Sequence, residues 1–355
     1  MTDAVAATLQ RREAHEPPEV RGLARDEVRM LVATRDGFTH AQARDLPEHL
    51  NAGDVLVVNT SATLPAALPA RRGDATVLAL HLSTPDASSF GDGRWVVELR
   101  RDGERFGGGR AGETLALPAG GQARLLAPYL AGPRLWLADL DTGGPRLLDY
   151  LHVNGAPIRY GYVPREWPLA DYQTVFAIEP GSAEMPSAGR PFTAGLVTAL
   201  VARGIAVVPL VLHTGVSSLE SGELPYPERF GVSSSTARLV NAARAGGGRV
   251  VAVGTTAARA LETVACEDGR IDAGAGWTRH VVTPRSGVRA VDGLLTGWHE
   301  PDASHLLMLE AIAGRGLVHD SYAVALRCAA LARVRRRAPP AAVTTALAAP
   351  RAANS

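Results

Sequence analysis

The stretch Arg249-Val250-Val251-Ala252-Val253-Gly254-Thr255-Thr256-Ala257-Ala258-Arg259-Ala260-Leu261-Glu262 carries the reading of the fold. Its first half is a short apolar, largely β-branched run with no polar alternation, which is the pattern of a strand buried on both faces. The run stops at Gly254 and passes through Thr255 and Thr256 into an Ala/Leu-rich helical segment. A buried strand therefore feeds a helix N-terminus, where the first amides lack intrahelical acceptors and the helix dipole is positive. Such a turn is either an ordinary connection or a seat for a polar ligand above Gly254. Thr255 and Thr256 can cap the helix or bind that ligand. Arg259 can face it too, or pair with Glu262 on its own helix.

Two further turns resemble this one. Residues 205–212 form an apolar strand ending at His213-Thr214-Gly215, and residues 291–295 form another ending at Thr296-Gly297-Trp298-His299-Glu300-Pro301. In parallel α/β sheets the carboxyl ends of the strands share one edge, where loop side chains converge on ligand. Two imidazoles, two threonines and a guanidinium gathered there suit a polar small molecule bearing a carboxylate or a ribose. His213 and His299 each read as a satisfied strand-end residue or as a catalyst. Glu228, in Pro225-Tyr226-Pro227-Glu228, reads as a solvated loop carboxylate or as a general acid/base. No His-x-x-x-His or carboxylate stands at ligand spacing, so no metal is expected.

The elements around these turns continue the α/β pattern. Residues 29–34 and Val55-Leu56-Val57-Val58-Asn59 read as strands, and residues 45–50 as a short helix. Residues 192–203 read as a helix closed by Gly204, a second helix starts at Ser234 or Ser235 and runs to about 245, and a third runs from Asp302 or Ser304 to 313. Between 64 and 140 the character changes. Short apolar runs at 76–83, 94–100, 113–117, 122–127 and 134–140 are separated by Gly or Pro, with a hairpin signal at Gly120-Gly121. The fold class is therefore α/β: a large α/β domain built from residues 1–63 and 148–330, with a small all-β, barrel-like domain inserted at 64–147. The Gly/Arg-rich loop at 102–112 reads as a hairpin tip, since no helix follows it to form an anion site. Residues 1–24 read as an extended arm, and 331–355, rich in Arg, Ala and Pro, as a flexible tail.

Composition narrows the chemistry. The chain has 355 residues, 46% of them hydrophobic and 21% charged, with a formal net charge of +1, which describes a globular protein with a sizeable core. All 37 basic side chains are arginine, so lysine Schiff-base chemistry and a Gly-Lys-Ser/Thr phosphate loop are excluded. Cys266 and Cys328 are the only cysteines, which argues against a disulfide framework or a structural zinc. Neither a membrane span nor a signal segment is read, and the chain is expected to be cytoplasmic and monomeric. Serine-hydrolase, zinc-protease and dinucleotide-binding motifs are missing from the sequence.

The order of motifs adds a family. Leu50-Asn51-Ala52-Gly53-Asp54-Val55-Leu56-Val57-Val58-Asn59, Tyr172-Gln173-Thr174-Val175-Phe176, Pro186-Ser187-Ala188-Gly189, Leu212-His213-Thr214-Gly215, Val253-Gly254-Thr255-Thr256 with Arg259 and Glu262, and Thr296-Gly297-Trp298-His299-Glu300-Pro301 follow one another as in the S-adenosylmethionine:tRNA ribosyltransferase-isomerases of queuosine biosynthesis, which the chain resembles from about residue 20 to 322. The resemblance implies a transferase-isomerase that moves the ribosyl part of S-adenosylmethionine onto a 7-deazaguanine base in tRNA, forms the epoxycyclopentanediol, and releases adenine and methionine. The sulfonium would acidify neighbouring C–H bonds and act as leaving group. By resemblance, Gly254, Thr255, Thr256, Arg259 and Gly215 hold the cosubstrate, His213, His299 and Glu228 serve catalysis, and Tyr172, Gln173, Ser187 and Asn59 shape the substrate pocket. Departures from the family pattern at Arg190-Pro191, Gly215-Val216-Ser217-Ser218-Leu219 and Thr60-Ser61-Ala62 keep two alternatives open. One is a relative acting on a non-tRNA acceptor; the other is a non-catalytic nucleoside binder.

Overall fold

The structure, a computed structural model, describes residues 16–87, 93–132, 134–160, 163, 165–216, 226–299, 304–334 and 344–348. Residues 1–15 of the expected arm lie outside the described residues; from residue 16, two 3-10 turns at Pro18–Arg21 and Arg25–Glu27 lead in. They are docked: Arg25 donates to the carbonyls of Gln173 at 2.7 Å and Ala170 at 3.2 Å. The hairpin β1 (Arg29–Thr34) and β2 (Gly37–Gln42) follows, then a 3-10 helix at Ala43–His49 and the strands β3 (Val55–Asn59) and β4 (Ser61–Thr63).

The inserted module comprises β5 (Ala67–Arg71), β6 (Val77–Pro85), β7 (Arg94–Arg101), β8 (Glu104–Arg105), β9 (Thr114–Ala116), β10 (Gln122–Pro128) and β11 (Leu135–Asp141). Its order is β11-β10-β9-β5-β6-β7-β8, and β11 also pairs with β7, which closes an antiparallel barrel with β8 outside it. Closure removes the exposed edges that a small open sheet would present. β5 escapes a reading by pattern because Pro69 lies at its centre, where a proline argues against a strand. The 102–112 loop is packed down: a Cβ on Gly109 would meet the Trp136 ring at 2.8 Å.

The chain then returns to the large domain through α1 (Leu147–Asn154), β12 (Glu179–Ser182), α2 (Ala194–Ala202), β13 (Ala206–Leu212), β14 (Glu228–Val232), α3 (Ser234–Ala245), β15 (Val250–Val253), α4 (Thr255–Thr263), β16 (Gly274–Thr278), β17 (Gly293–Thr296), α5 (Ser304–Ala313), α6 (Arg315–Val334) and β18 (Thr344–Ala348). The large sheet runs β16-β14-β13-β3-β15-β17-β18-β1-β2. Within it β13, β3, β15 and β17 are mutually parallel. Side-chain alternation along β3 explains its unbroken apolar run. Val55 and Val57 join the cluster containing Val240 of α3, Leu261 of α4 and Leu309 of α5, whereas Leu56 and Val58 join the one containing Leu196 and Leu200 of α2. Helices thus cover both faces, as a parallel sheet requires.

Two expectations change here. Of the segment 331–355, expected to be a flexible tail, the described residues are ordered elements: α6 runs to Val334, and β18 lies between β17 (antiparallel) and β1 (parallel), while 335–343 and 349–355 lie outside the described residues. β18 supplies partners for the facing edges of two strands that would otherwise leave backbone groups unpaired. The barrel's apolar cluster also extends beyond residue 147, taking in Tyr150 and Leu151 of α1 and Ile158.

The barrel meets the large domain through a buried charged cluster. Glu98 on β7 is wholly buried; Arg100 donates to it at 2.9 Å and Arg134 at 3.2 Å. Arg134 also hydrogen-bonds the Tyr226 hydroxyl, and Tyr226 leads into β14. On β6, Ser83 accepts from the Val216 amide at 3.0 Å, and a Cβ on Gly215 would meet its hydroxyl at 2.6 Å.

A candidate active site at the carboxyl edge of the parallel strands

The sheet order brings all three turns to one edge, with β3 and β15 between the ends of β13 and β17. Neighbouring strands lie ~4.8 Å apart, so the three steps from β13 to β17 separate His213 from the β17 turn by roughly 14 Å. The two histidines therefore stand toward opposite ends of this edge.

At the centre Gly254 has φ +94°, and a Cβ there would press on Ala188 Cβ at 3.3 Å, so the Pro186-Ser187-Ala188-Gly189 turn lies directly against the end of β15. Neither threonine caps α4: Gly254 is the cap residue, without a side-chain hydrogen bond, and Thr255 and Thr256 are the first helical residues. The α4 amino end therefore keeps its first-turn amides for other partners. Thr256 Oγ1 accepts from Asn59 Nδ2 at 3.3 Å.

Several of the residues expected at the site have protein partners. The Asn59 amide bridges both backbone groups of Leu212, at 2.8 and 3.0 Å, and accepts from the Ser61 amide at 3.1 Å, which clamps the end of β3 to the end of β13. The Gln173 amide pairs with the Thr63 peptide at 2.9 and 2.8 Å, as another strand would. Arg259 is buried; it donates from Nε to His280 O at 2.9 Å, from Nη2 to Tyr226 O at 2.8 Å and Thr278 O at 3.2 Å, and from Nη1 to Glu228 Oε2. It does not pair with Glu262, whose carboxylate accepts from the amides of Arg289, Ala290 and Val291 at 2.8 to 3.1 Å and so holds the chain entering β17. Glu228 is no solvated loop residue: it opens β14, its side chain is 15% exposed, and its other oxygen accepts from the Gly215 amide at 2.9 Å. Burial raises its pKa, against the opposing pull of Arg259 and the Gly215 amide.

Tyr172 and Ser187 differ from these. Tyr172 is half-buried and Ser187 exposed, and among the described residues neither hydroxyl has a hydrogen-bond partner. Both remain available to a ligand.

At the β17 end, His299 Nε2 lies 2.8 Å from Thr296 Oγ1, and the imidazole stacks on His305 with centroids 4.7 Å apart. The Tyr322 hydroxyl accepts from the His299 amide and donates to its carbonyl, at 3.1 and 3.0 Å. At the β13 end, His213 Nδ1 lies 2.7 Å from Ser61 Oγ. Ser61 and His305 are not among the expected site residues: Ser61 stands in a stretch that departs from the family pattern and is 152 positions from His213, and His305 is a first-turn helical residue outside the quoted motifs.

A queuosine biosynthesis protein family model matches residues 9–329, a span that contains every residue of this edge. The chain belongs to that family. Among its relatives in the queuosine family, an S-adenosylmethionine:tRNA ribosyltransferase-isomerase of Acidiphilium cryptum is 37% identical over 85% of this chain and 88% of that one. Those so named from Moorella thermoacetica and Geobacter sulfurreducens are 36% and 34% identical, covering 85% and 88% of this chain and 89% and 93% of theirs. A crystal structure of an S-adenosylmethionine tRNA ribosyltransferase from Thermotoga maritima is similar over 90% of this chain and 93% of that one, with 24% identity and a TM-score of 0.45. β18 lies beyond the span matched by the queuosine family model.

The partly buried imidazoles of His213, His299 and His305 make stability pH-dependent. Burial first, then His305, lowers His299 from 6.5 to about 3; burial first, then Arg259, lowers His305 to about 4; burial first, then Arg229, lowers His213 to about 4. Below the unfolded value of 6.5 the unfolded chain takes up protons that the folded chain refuses. Stability is therefore complete above pH 6.5 and is lost as pH falls toward 4 and 3, by up to ~1.4 kcal/mol per pH unit for each histidine. Urea unfolding at pH 7.5 and pH 5 should show a lower midpoint at pH 5; equal midpoints would refute imidazoles held neutral in the folded chain.

Proposed function

We propose that this chain is a transferase-isomerase that uses S-adenosylmethionine as ribosyl donor to a 7-deazaguanine base in tRNA, releasing adenine and methionine. The observation that carries the reading is the convergence of the β13, β3, β15 and β17 ends on one edge, in a chain matched almost throughout by relatives named for that reaction. The α4 amino end at Gly254, Thr255 and Thr256 and the wall at Gly215 receive the adenosyl compound, since unpaired amides suit polar oxygens and carboxylates. His213 and His299 line the two ends of the bound molecule, and Tyr172 and Ser187 meet the acceptor base. Glu228 serves as the site's carboxylate, while Arg259, Asn59 and Gln173 hold the walls.

The test is incubation with S-adenosylmethionine and tRNA carrying 7-aminomethyl-7-deazaguanine. Adenine and methionine should appear only when that tRNA is present. Release without tRNA would shift the reading to a non-tRNA acceptor, and no detectable binding of S-adenosylmethionine by calorimetry would sink both.

A further inference from the structure

β4 and β12 form a separate two-stranded parallel sheet at the reacting edge, and their serines meet His213. Ser61 Oγ lies 2.6 Å from Ser182 Oγ and 2.7 Å from His213 Nδ1, and the Thr214 amide donates to Ser182 Oγ at 3.0 Å. Both serines are 0% exposed. The imidazole lies flat on Gly181, where any Cβ would collide with the ring, so the ring is held on one face as well as at one nitrogen.

The directions of these bonds follow from counting hydrogens. The Thr214 amide can only donate, which makes Ser182 Oγ an acceptor on that side. Two links remain, and two hydroxyl hydrogens are available for them. They are both satisfied if Ser182 donates to Ser61 and Ser61 donates to His213 Nδ1. The reverse direction, from an Nδ1–H, would leave one of the two buried hydroxyl hydrogens, that of Ser182 or that of Ser61, without an acceptor among the described residues, and a buried unsatisfied donor is costly enough to disfavour that state by about tenfold or more.

We infer that Ser61 and Ser182 form a two-hydroxyl relay that sets His213 as its Nε2–H tautomer, so that His213 meets the bound nucleoside as a neutral hydrogen-bond donor and not as a general base. The donor would be directed at an oxygen or ring nitrogen of the adenosyl compound; this half rests on the function proposed above, whereas the tautomer does not. Burial and Arg229 hold the ring neutral at pH 7. Ser61 and Ser182 are positioning residues acting through His213.

The full chain labelled with 15N-histidine answers the first half by NMR, with the His213 signals identified by their loss in His213→Gln. The expected result at pH 7 is a non-protonated Nδ1 and a protonated Nε2. Ser61→Ala should convert this to a mixture of tautomers and lower kcat by roughly 2- to 10-fold, through the lost fraction of the Nε2–H form and the looser ring, with little change in the KM for S-adenosylmethionine. A protonated Nδ1 in the unsubstituted protein, or a tautomer ratio unmoved in Ser61→Ala, overturns the relay. An unchanged kcat in Ser61→Ala despite a changed tautomer overturns the donor role. Should the unsubstituted protein release no adenine at all, the proposed function fails while the tautomer result still decides the relay.

Discussion

Arg259→Ala is expected to destabilise the large domain by roughly 3–5 kcal/mol, the range for breaking one side of a buried ion pair. The loss has two sources. Glu228 would stay buried without its cation, and the carbonyls of Tyr226, Thr278 and His280 would lose the donors that now reach them from one planar guanidinium. Lysine cannot replace that fork, because an ammonium carries three donors on one atom instead of five spread over a plane. Arg259→Lys should therefore recover only part of the loss. Removing the stranded charge as well, in Arg259→Ala with Glu228→Gln, should recover more. Chemical denaturation measures all three variants. An Arg259→Ala protein within about 1 kcal/mol of the parent, but with weaker S-adenosylmethionine binding, would return Arg259 to direct ligand contact.

Glu98→Ala should cost a similar ~3–5 kcal/mol, at the junction of barrel and large domain. Glu98 is the carboxylate to which Arg100 and Arg134 both donate, and Arg105 lies 3.9 Å away. The Arg100 and Arg134 side chains are 7% and 5% exposed, so water cannot readily replace the lost anion. Changing the cluster to apolar residues of similar volume, with Glu98→Leu, Arg100→Met and Arg134→Met together, should cost much less, since a buried ion cluster is often matched by packed hydrocarbon. The effect should also reach the site, because Arg134 bonds the Tyr226 hydroxyl and Arg259 bonds the Tyr226 carbonyl. Guanidinium unfolding together with adenine-release assays would check both. A Glu98→Ala protein as stable as its parent would mean that Glu98 is not the counter-charge.

The apolar runs at 55–58 and 250–253, the helix begun at Thr255 and the change of character after residue 64 are all legible in the chain itself. Periodicity and turn residues act between near neighbours, and burial on two faces leaves a run without alternation. The same logic marks strand ends as places for polar ligands, and it singled out Gly254, His213 and His299. It could not say what each polar side chain would meet. Asn59 finds Leu212 153 positions away, Gln173 finds Thr63 110 away and Arg259 finds Glu228 31 away. Those partners exist because the crossovers put β3 between β13 and β15, fold the barrel back against Gly215 and lead the chain across the edge at 172–189. A hydrogen bond reaches about 3 Å, so its partner is set by which strand lies beside which. Hence the positions of the turns are readable from local pattern, while the hydrogen-bond partners of Arg259, Asn59, Gln173 and Ser61 come from strand order in three dimensions.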